Sequence, residues 1–320
     1  MAGIRTVALV AAVALGTSIG VAVPTSWLDI VDALYEGSWN AGLRRFRSPF
    51  AFRGVSSADH TLATSLARLG RGRADVRRLE TALLRNFRKY ARGQAENPDS
   101  VWDWLAIGQH RGLPTRLLDW TYSPLVALHF ATEDPAEFDR DGVVWCVNFV
   151  EAAGLLPRRL RKILQDEGSD TLTAEMLAPF QTLREFDRLS REPFVVFLEP
   201  PALDDRILNQ LALFSLMSDP AASFEDWSRE HPHLCRRVVV PARLKWEIRD
   251  KLDQANINER VLFPGLDGLS RWLARYYTPL DAQDEITERT LPGAAARDTA
   301  TSHRRSRASR QRSDGIRRAG

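Results

Sequence analysis

The sequence predicts an α+β fold: a single globular domain with a central mixed sheet and flanking helices. Helical periods and short apolar runs alternate irregularly along the chain, with no internal repeat. The strand-like runs 143–150, 194–198 and 237–240 are apolar on both faces, as interior strands are. The 320 residues are 44% hydrophobic and 27% charged, the composition of a soluble globular chain and not of a collagen-like, disulfide-scaffold or polytopic membrane protein.

Trp27–Leu34 reads as a helix capped by Ser26, because a serine hydroxyl satisfies a free N–H of the first turn. Residues 48–53 read as a strand, with Phe50 and Phe52 on one face and Ala51 and Arg53 on the other. In residues 75–90, Val76, Leu79, Leu83, Phe87 and Tyr90 recur every three to four positions, an amphipathic helix. Residues 101–107 read as another. Ser123 caps a helix that runs through Thr132, with Pro124 in its first turn. Residues 155–164, 173–186, 205–213, 244–254 and 268–276 complete the predicted helices.

The net charge of +3 is unevenly placed. From Gly293 onward there are eight Arg and two Asp, so the preceding 292 residues carry a net −3 and the basicity belongs to the tail. Whole-chain charge is therefore no argument for a nucleic-acid-binding fold. Two cysteines, Cys146 and Cys235, cannot build a disulfide framework or a metal cluster alone, and no metal site is expected.

The domain is expected to span residues 26–279. An apolar stretch at 6–23 sits within a separate N-terminal segment, residues 1–25. A secretory signal with its small-residue cleavage pattern at Gly20-Val21-Ala22, a membrane anchor and an inert extension all remain open readings of it. Residues 280–320 are polar and then Arg/Ser-rich, the composition of a disordered tail. Such a tail is solvated or attracts nucleic acid or acidic surfaces without specificity.

Two segments carry chemistry. In Ala51-Phe52-Arg53-Gly54 an arginine ends an apolar strand, and a cation there needs an anionic partner, either a structural carboxylate or a ligand. Gly54 allows close approach of another backbone or of that ligand. The second segment, residues 108–123, reads as a polar loop delivering into the start of an apolar helix. Free N–H groups and the positive end of the helix dipole would meet at that start. Arg111 and Arg116 would add forked donors, Gln109 and His110 hydrogen bonds or acid–base capacity, and Thr121, Tyr122 and Ser123 either pocket contacts or caps. Arg206 and Gln210, four apart on one helical face, would reach the same pocket or stay at the surface. Walker-type loops, G-x-S-x-G and H-E-x-x-H are all missing from the sequence.

The motif FRG at 52–54, GQHRGLPTRLLDWTYSPLVALHFA at 108–131 and LFPGLDGLSRWL at 262–273 resemble the hallmarks of the FRG domain family. The stretch FLEPPALDDRILNQLALFS at 197–215 is similar to its intermediate block. The resemblance covers about residues 26–277 and implies a cytoplasmic location, against the exported or membrane-anchored alternatives. A fainter likeness is to ADP-ribosyltransferases, in which a strand ending in Arg holds the NAD phosphate and a later strand lines the nicotinamide pocket. It implies Arg53 as anion clamp, Thr121 and Ser123 as pocket hydroxyls, Trp120 or Tyr122 as a stacking surface, and NAD as the ligand. The catalytic Glu-x-Glu of that fold is not present; Glu192 and Glu199 are the nearest carboxylates, and Glu199 is the candidate. Two functional expectations follow. One is a phosphate- or nucleotide-binding cleft in an ADP-ribosyltransferase-like enzyme. The other is a non-catalytic nucleotide-sensing or interaction module of a bacterial stress or phage-defence system.

Overall fold

The computed structural model describes residues 18–71, 75–92 and 100–279. Among the described residues there are ten strands: β1 Gly20–Ala22, β2 Trp39–Asn40, β3 Arg45–Phe46, β4 Phe50–Val55, β5 Leu117–Thr121, β6 Gly142–Asn148, β7 Leu172–Thr173, β8 Val195–Glu199, β9 Ala212–Met217 and β10 Cys235–Val240. Fourteen helices join them: α1 Trp27–Tyr35, α2 Ser65–Leu69, α3 Val76–Ala91, α4 Val101–His110, α5 Pro124–Ala131, α6 Phe149–Ala153, α7 Arg158–Glu167, α8 Ala174–Leu177, α9 Leu183–Asp187, α10 Asp205–Asn209, α11 Phe224–Glu230, α12 Lys245–Gln254, α13 Glu259–Leu262 and α14 Leu266–Tyr276.

Eight strands form one mixed sheet in the order β1-β10-β6-β4-β5-β9-β8-β7, and β2 and β3 form a separate hairpin. The two edge pairs, β1–β10 and β7–β8, are parallel and the inner pairs antiparallel. The fold is thus the α+β arrangement with a mixed sheet that the sequence predicts. Strand alternation sorts the core. On one face Ala51, Trp120, Val143, Trp145, Val147, Phe197 and Leu213 join a cluster that crosses the sheet from β10 to β8. The opposite face carries two separate clusters. Phe52, Val144 and Val238 pack with α1, α5 and α12, whereas Leu117, Val196 and Phe214 pack with α3, α4 and α7.

The seam between those two clusters falls between β4 and β5. Six consecutive residues of β4, Phe50 to Val55, pair with β6, but only Phe52 pairs with β5, opposite Thr121. The sheet opens there. Helix α5 lies on β4 through Gly54, where any Cβ would overlap the carbonyl oxygen of Ala127 and lie 2.5 Å from the Ala131 nitrogen. Gly142 admits the same helix, since a Cβ there would lie 2.7 Å from the Ala131 oxygen. The close approach at Gly54 is thus made by a neighbouring backbone.

Several expectations need correction. Residues 117–121 are strand β5 and not loop; all but Asp119 are buried, and Leu117 and Leu118 enter cores on opposite faces. The predicted helix 205–213 ends at Asn209, and the chain turns into β9 with Leu211 at φ 46°. The predicted helix 173–186 divides into α8 and α9, because Pro179 cannot donate an N–H to a continuing helix. Within the expected N-terminal segment, Gly20–Ala22 pair with Arg236–Val238 as an edge strand of the sheet, so cleavage after Ala22 would strip that strand. The disordered-tail expectation at 280–320 and the apolar residues 6–17 lie outside the described residues. The chain divides into two units, Met1–Leu273 and Ala274–Gly320. Among the described residues no helix is long and apolar enough to cross a membrane.

Candidate functional site

A cleft of about 360 Å³ occupies the opening between β4 and β5. Its walls are residues 52–56 of β4 and the turn beyond it, Asp119–Thr121 of β5, and Ala212 and Phe214 of β9. The C-terminal residue of α4, His110, its neighbour Gln109, and Ile207 with Arg206 of α10 close one side. Phe130 and Glu133 close the other.

Arg53 is a partly buried charge in it with an incompletely satisfied guanidinium. About a quarter of its side chain is exposed. One Nη donates to the Asp119 carbonyl at 2.5 Å, an oxygen that the parting of β4 and β5 leaves free of that ladder. The Asp119 carboxylate is 4.0 Å away, and Arg53 Nε is buried with no hydrogen-bond partner. Burial pulls this guanidinium below its usual value, Asp119 offsets that only in part, and Arg68 adds repulsion. A desolvated cation in that state gains from an anion.

The polar groups around Arg53 are tied down. Gln109 donates from Nε2 to Asp119 Oδ1 at 3.0 Å and accepts from the Thr115 hydroxyl at 2.5 Å. His110, its side chain only 7% exposed, lies with Nε2 2.6 Å from Asp204 Oδ2. Burial works against ionisation of Asp204, but the His110 hydrogen bond and charge and the backbone N–H groups of Ile207 and Arg206 outweigh it and hold the acid below its usual value. The Thr121 hydroxyl donates to the Gln210 carbonyl at 2.7 Å, and Gln210 donates from its amide to the Leu262 carbonyl at 2.9 Å. The Arg206 guanidinium stacks over Phe263 at 5.1 Å.

Of the predicted site residues, Arg53, Gln109, His110, Thr121, Arg206 and Gln210 line this cleft. Five do not. Arg111 is exposed at the end of α4. Arg116 is buried elsewhere, donating to Glu80 and to Asp187. Ser123 caps α5 by accepting from Val126 N–H. Tyr122 donates its hydroxyl to Glu199 at 2.6 Å, and Thr171 donates to the same oxygen at 3.0 Å. That pair sits where Tyr122 packs on Phe149, in the core cluster that crosses the other face of the sheet. Trp120, a further stacking candidate, buries its indole between Phe197 and Phe224 and donates to Ser215. The expected helix start is also displaced, because the cleft meets α5 at Phe130 and Glu133, its C-terminal end. The dipole there disfavours anions, and any anion-holding falls to Arg53 and Arg206.

Sequence reasoning missed Asp119 as a wall of the cleft, Asp204 as the partner of His110, and Glu133. A signal for Glu133 exists: a carboxylate just past a helix C-terminus opposes the dipole and so does not serve the helix. Burial holds this carboxyl above the usual carboxylate range, with Arg271, 3.7 Å away, offsetting part of the rise. The folded state therefore binds the Glu133 proton more tightly than the unfolded chain. That contribution to stability is complete below the unfolded-state pKa and is lost as pH rises through the folded-state value. The Tm advantage of Glu133→Gln over wild type should accordingly grow between about pH 4 and pH 8. A Tm difference that stays flat over this range would contradict that ionisation.

A mixed sheet parted beside a largely buried arginine, with carboxylates on both flanks, defines an α+β protein with a cleft at its strand seam. Residues 48–140 match the family model of the FRG domain, so the chain contains an FRG domain, and β4, β5 and α5, which build the cleft, lie within the match. No curated protein and no solved structure matches the chain. Among the described residues no cluster of three or more His, Cys, Asp or Glu side chains is placed to hold a metal ion.

Proposed function

We propose that the cleft between β4 and β5 binds a phosphate-bearing nucleotide, with Arg53 holding the phosphate and NAD the ligand to test first. The observation that carries this reading is the state of Arg53: a largely buried guanidinium with an unpartnered Nε and a single carboxylate 4.0 Å away. A phosphate oxygen supplies the missing acceptor and the missing charge together. Gln109 and Arg206 stand on the same wall to contact ribose hydroxyls or further phosphate oxygens.

An ADP-ribosyltransferase-like reaction would need a carboxylate at the ribose carbon as nicotinamide departs with the bonding electrons. The cleft offers Asp119 and Glu133 for that role, and Glu199 is held elsewhere by Tyr122 and Thr171. This placement favours a second reading, nucleotide sensing without turnover in a stress or phage-defence setting.

Calorimetry with NAD and an assay of nicotinamide release separate the readings. Wild type should bind, and Arg53→Ala should weaken binding by about 30-fold or more, the loss of one charge-assisted hydrogen bond and its charge. Release that is abolished by Glu133→Gln and unaffected by Glu199→Gln supports turnover in this cleft. Binding without release supports sensing. An Arg53→Ala protein with wild-type Tm and unchanged affinity would overturn the nucleotide site.

A further inference from the structure

A second concavity, about 1050 Å³, lies between α3, the first turns of α4 and residues 181–184. Among the described residues every charged side chain lining it is a cation: Arg85, Arg88 and Lys89 from α3, Arg92 at its C-cap, and Arg184 facing them. All five are exposed, and none forms an ion pair among the described residues. The carboxylates that could have neutralised them are engaged elsewhere. Glu80 and Asp187 are held by Arg116, and Glu185 accepts from the Gln181 N–H.

Helical geometry turns the α3 cations into a row. Arg85, Arg88 and Lys89 fall on one face and span about 6 Å of the axis at 1.5 Å per residue, and Arg92 follows at the C-cap. The row stands out against a body of residues 1–292 whose net charge is −3, so its potential is local and was built by position. Between the row and Arg184 the floor is apolar, formed by Leu84, Val101 and Leu183. Trp104 also borders it, but the residue is only 3% exposed, meets Phe87 edge-on and lies under the Arg88 guanidinium at 5.9 Å, so it offers no free face for stacking a base.

We infer that this groove binds single-stranded nucleic acid through its phosphate backbone, without reading base sequence. A linear row of forked donors fits a polyanion whose charges repeat along a line, and a groove tracks one strand where a duplex would need a broader surface. The absence of a stacking face removes the usual source of base preference and leaves affinity to phosphate neutralisation and counterion release. This site is separate from the nucleotide cleft and does not rest on that reading.

The test is fluorescence anisotropy of the full-length protein with a labelled oligothymidylate of about 16 nucleotides, titrated between about 50 and 200 mM NaCl. Wild type should bind at the low-salt end and weaken steeply with salt. The Arg85→Glu/Arg88→Glu/Arg92→Glu variant should bind at least about tenfold more weakly and lower the salt slope by about 2, near 0.7 for each contact removed. Arg184→Glu on the facing wall should move affinity in the same direction, whereas Arg229→Glu, at an exposed cation that lines neither cavity, should leave it unchanged. These cations are exposed, so a wild-type Tm in the variants shows that the fold is intact. A variant lacking residues 297–320 should still show the groove-dependent loss. The inference is overturned if wild type does not bind at low salt, if the groove variants bind as wild type does, or if deleting residues 297–320 alone abolishes binding. It is also overturned if polyglutamate competes as well as oligothymidylate at equal charge, which would assign the groove to an acidic protein partner.

Discussion

Replacing Arg116 by alanine is expected to cost about 3–5 kcal/mol, a large fraction of the roughly 5–15 kcal/mol that holds a typical domain folded. The guanidinium is 2% exposed and donates through Nε and Nη2 to Glu80, through Nη1 to Asp187 at 2.6 Å, and to the Ser218 carbonyl at 3.1 Å. Both carboxylate side chains are less than a tenth exposed, so truncation leaves two buried anions with one cation fewer between them. Burial by itself would lower the arginine's pKa, but the hydrogen bonds and charges of Glu80 and Asp187 outweigh it and raise it. Urea unfolding of Arg116→Ala and Arg116→Lys tests this. Lysine keeps the charge and loses the fork, so its loss should be intermediate. Nucleotide affinity measured on any folded fraction should be unchanged, because Arg116 does not line the cleft. A loss below about 1 kcal/mol for Arg116→Ala would mean that the buried pairs are not what holds α3 to the sheet.

Gly54→Ala is the second large effect. A Cβ at this position would overlap Ala127 O and crowd Ala131 N, both backbone atoms of α5 that no rotamer change can move. Helix α5 would have to lift from β4, disturbing Phe52, Ala127, Leu128 and Ala131 in one core cluster. The expected cost is about 3 kcal/mol or more, at the upper end for overpacking, with Gly54→Val failing to fold. Thermal unfolding measures it. Since α5 supplies Phe130 and the cleft borders β4, any folded Gly54→Ala protein should also bind nucleotide less well. A Tm within a degree or two of wild type would show that α5 can shift at little cost.

The two substitutions share a lesson about the candidate site. Arginines 53 and 116 read alike in the sequence, each beside apolar residues in a distinctive motif. Only one is left wanting an anion. Which one depends on Glu80 and Asp187, 36 and 71 residues away from Arg116 along the chain, and no local pattern announces such partners. Glu199 reads as a site residue from its place at a strand end, yet the strand order seats it against Tyr122. The central strand β5 is hidden in the sequence because Asp119 and the flanking arginine and threonine make residues 115–121 look polar, although Leu117, Leu118 and Trp120 are buried. Strand β9 is hidden by the helical spacing of residues 205–213, which the turn at Leu211 interrupts.

What the sequence determined by itself was whatever rests on short-range spacing. Ser26 and Ser123 cap α1 and α5, α3 has its amphipathic period, β6 is buried along its length, and the FRG and QHRGLPTRLLDW motifs fall within the FRG-domain match. The parting of β4 from β5 after a single paired residue was decided only by the tertiary structure. So were the placement of the cleft at the C-terminal end of α5, the role of Gly54 as a seat for that helix, and the division of the arginines into bound and unbound. The reason is physical. Caps and periodicities are settled by groups within a turn or two of one another, whereas strand order, close backbone contact and charge compensation depend on groups brought together from distant parts of the chain.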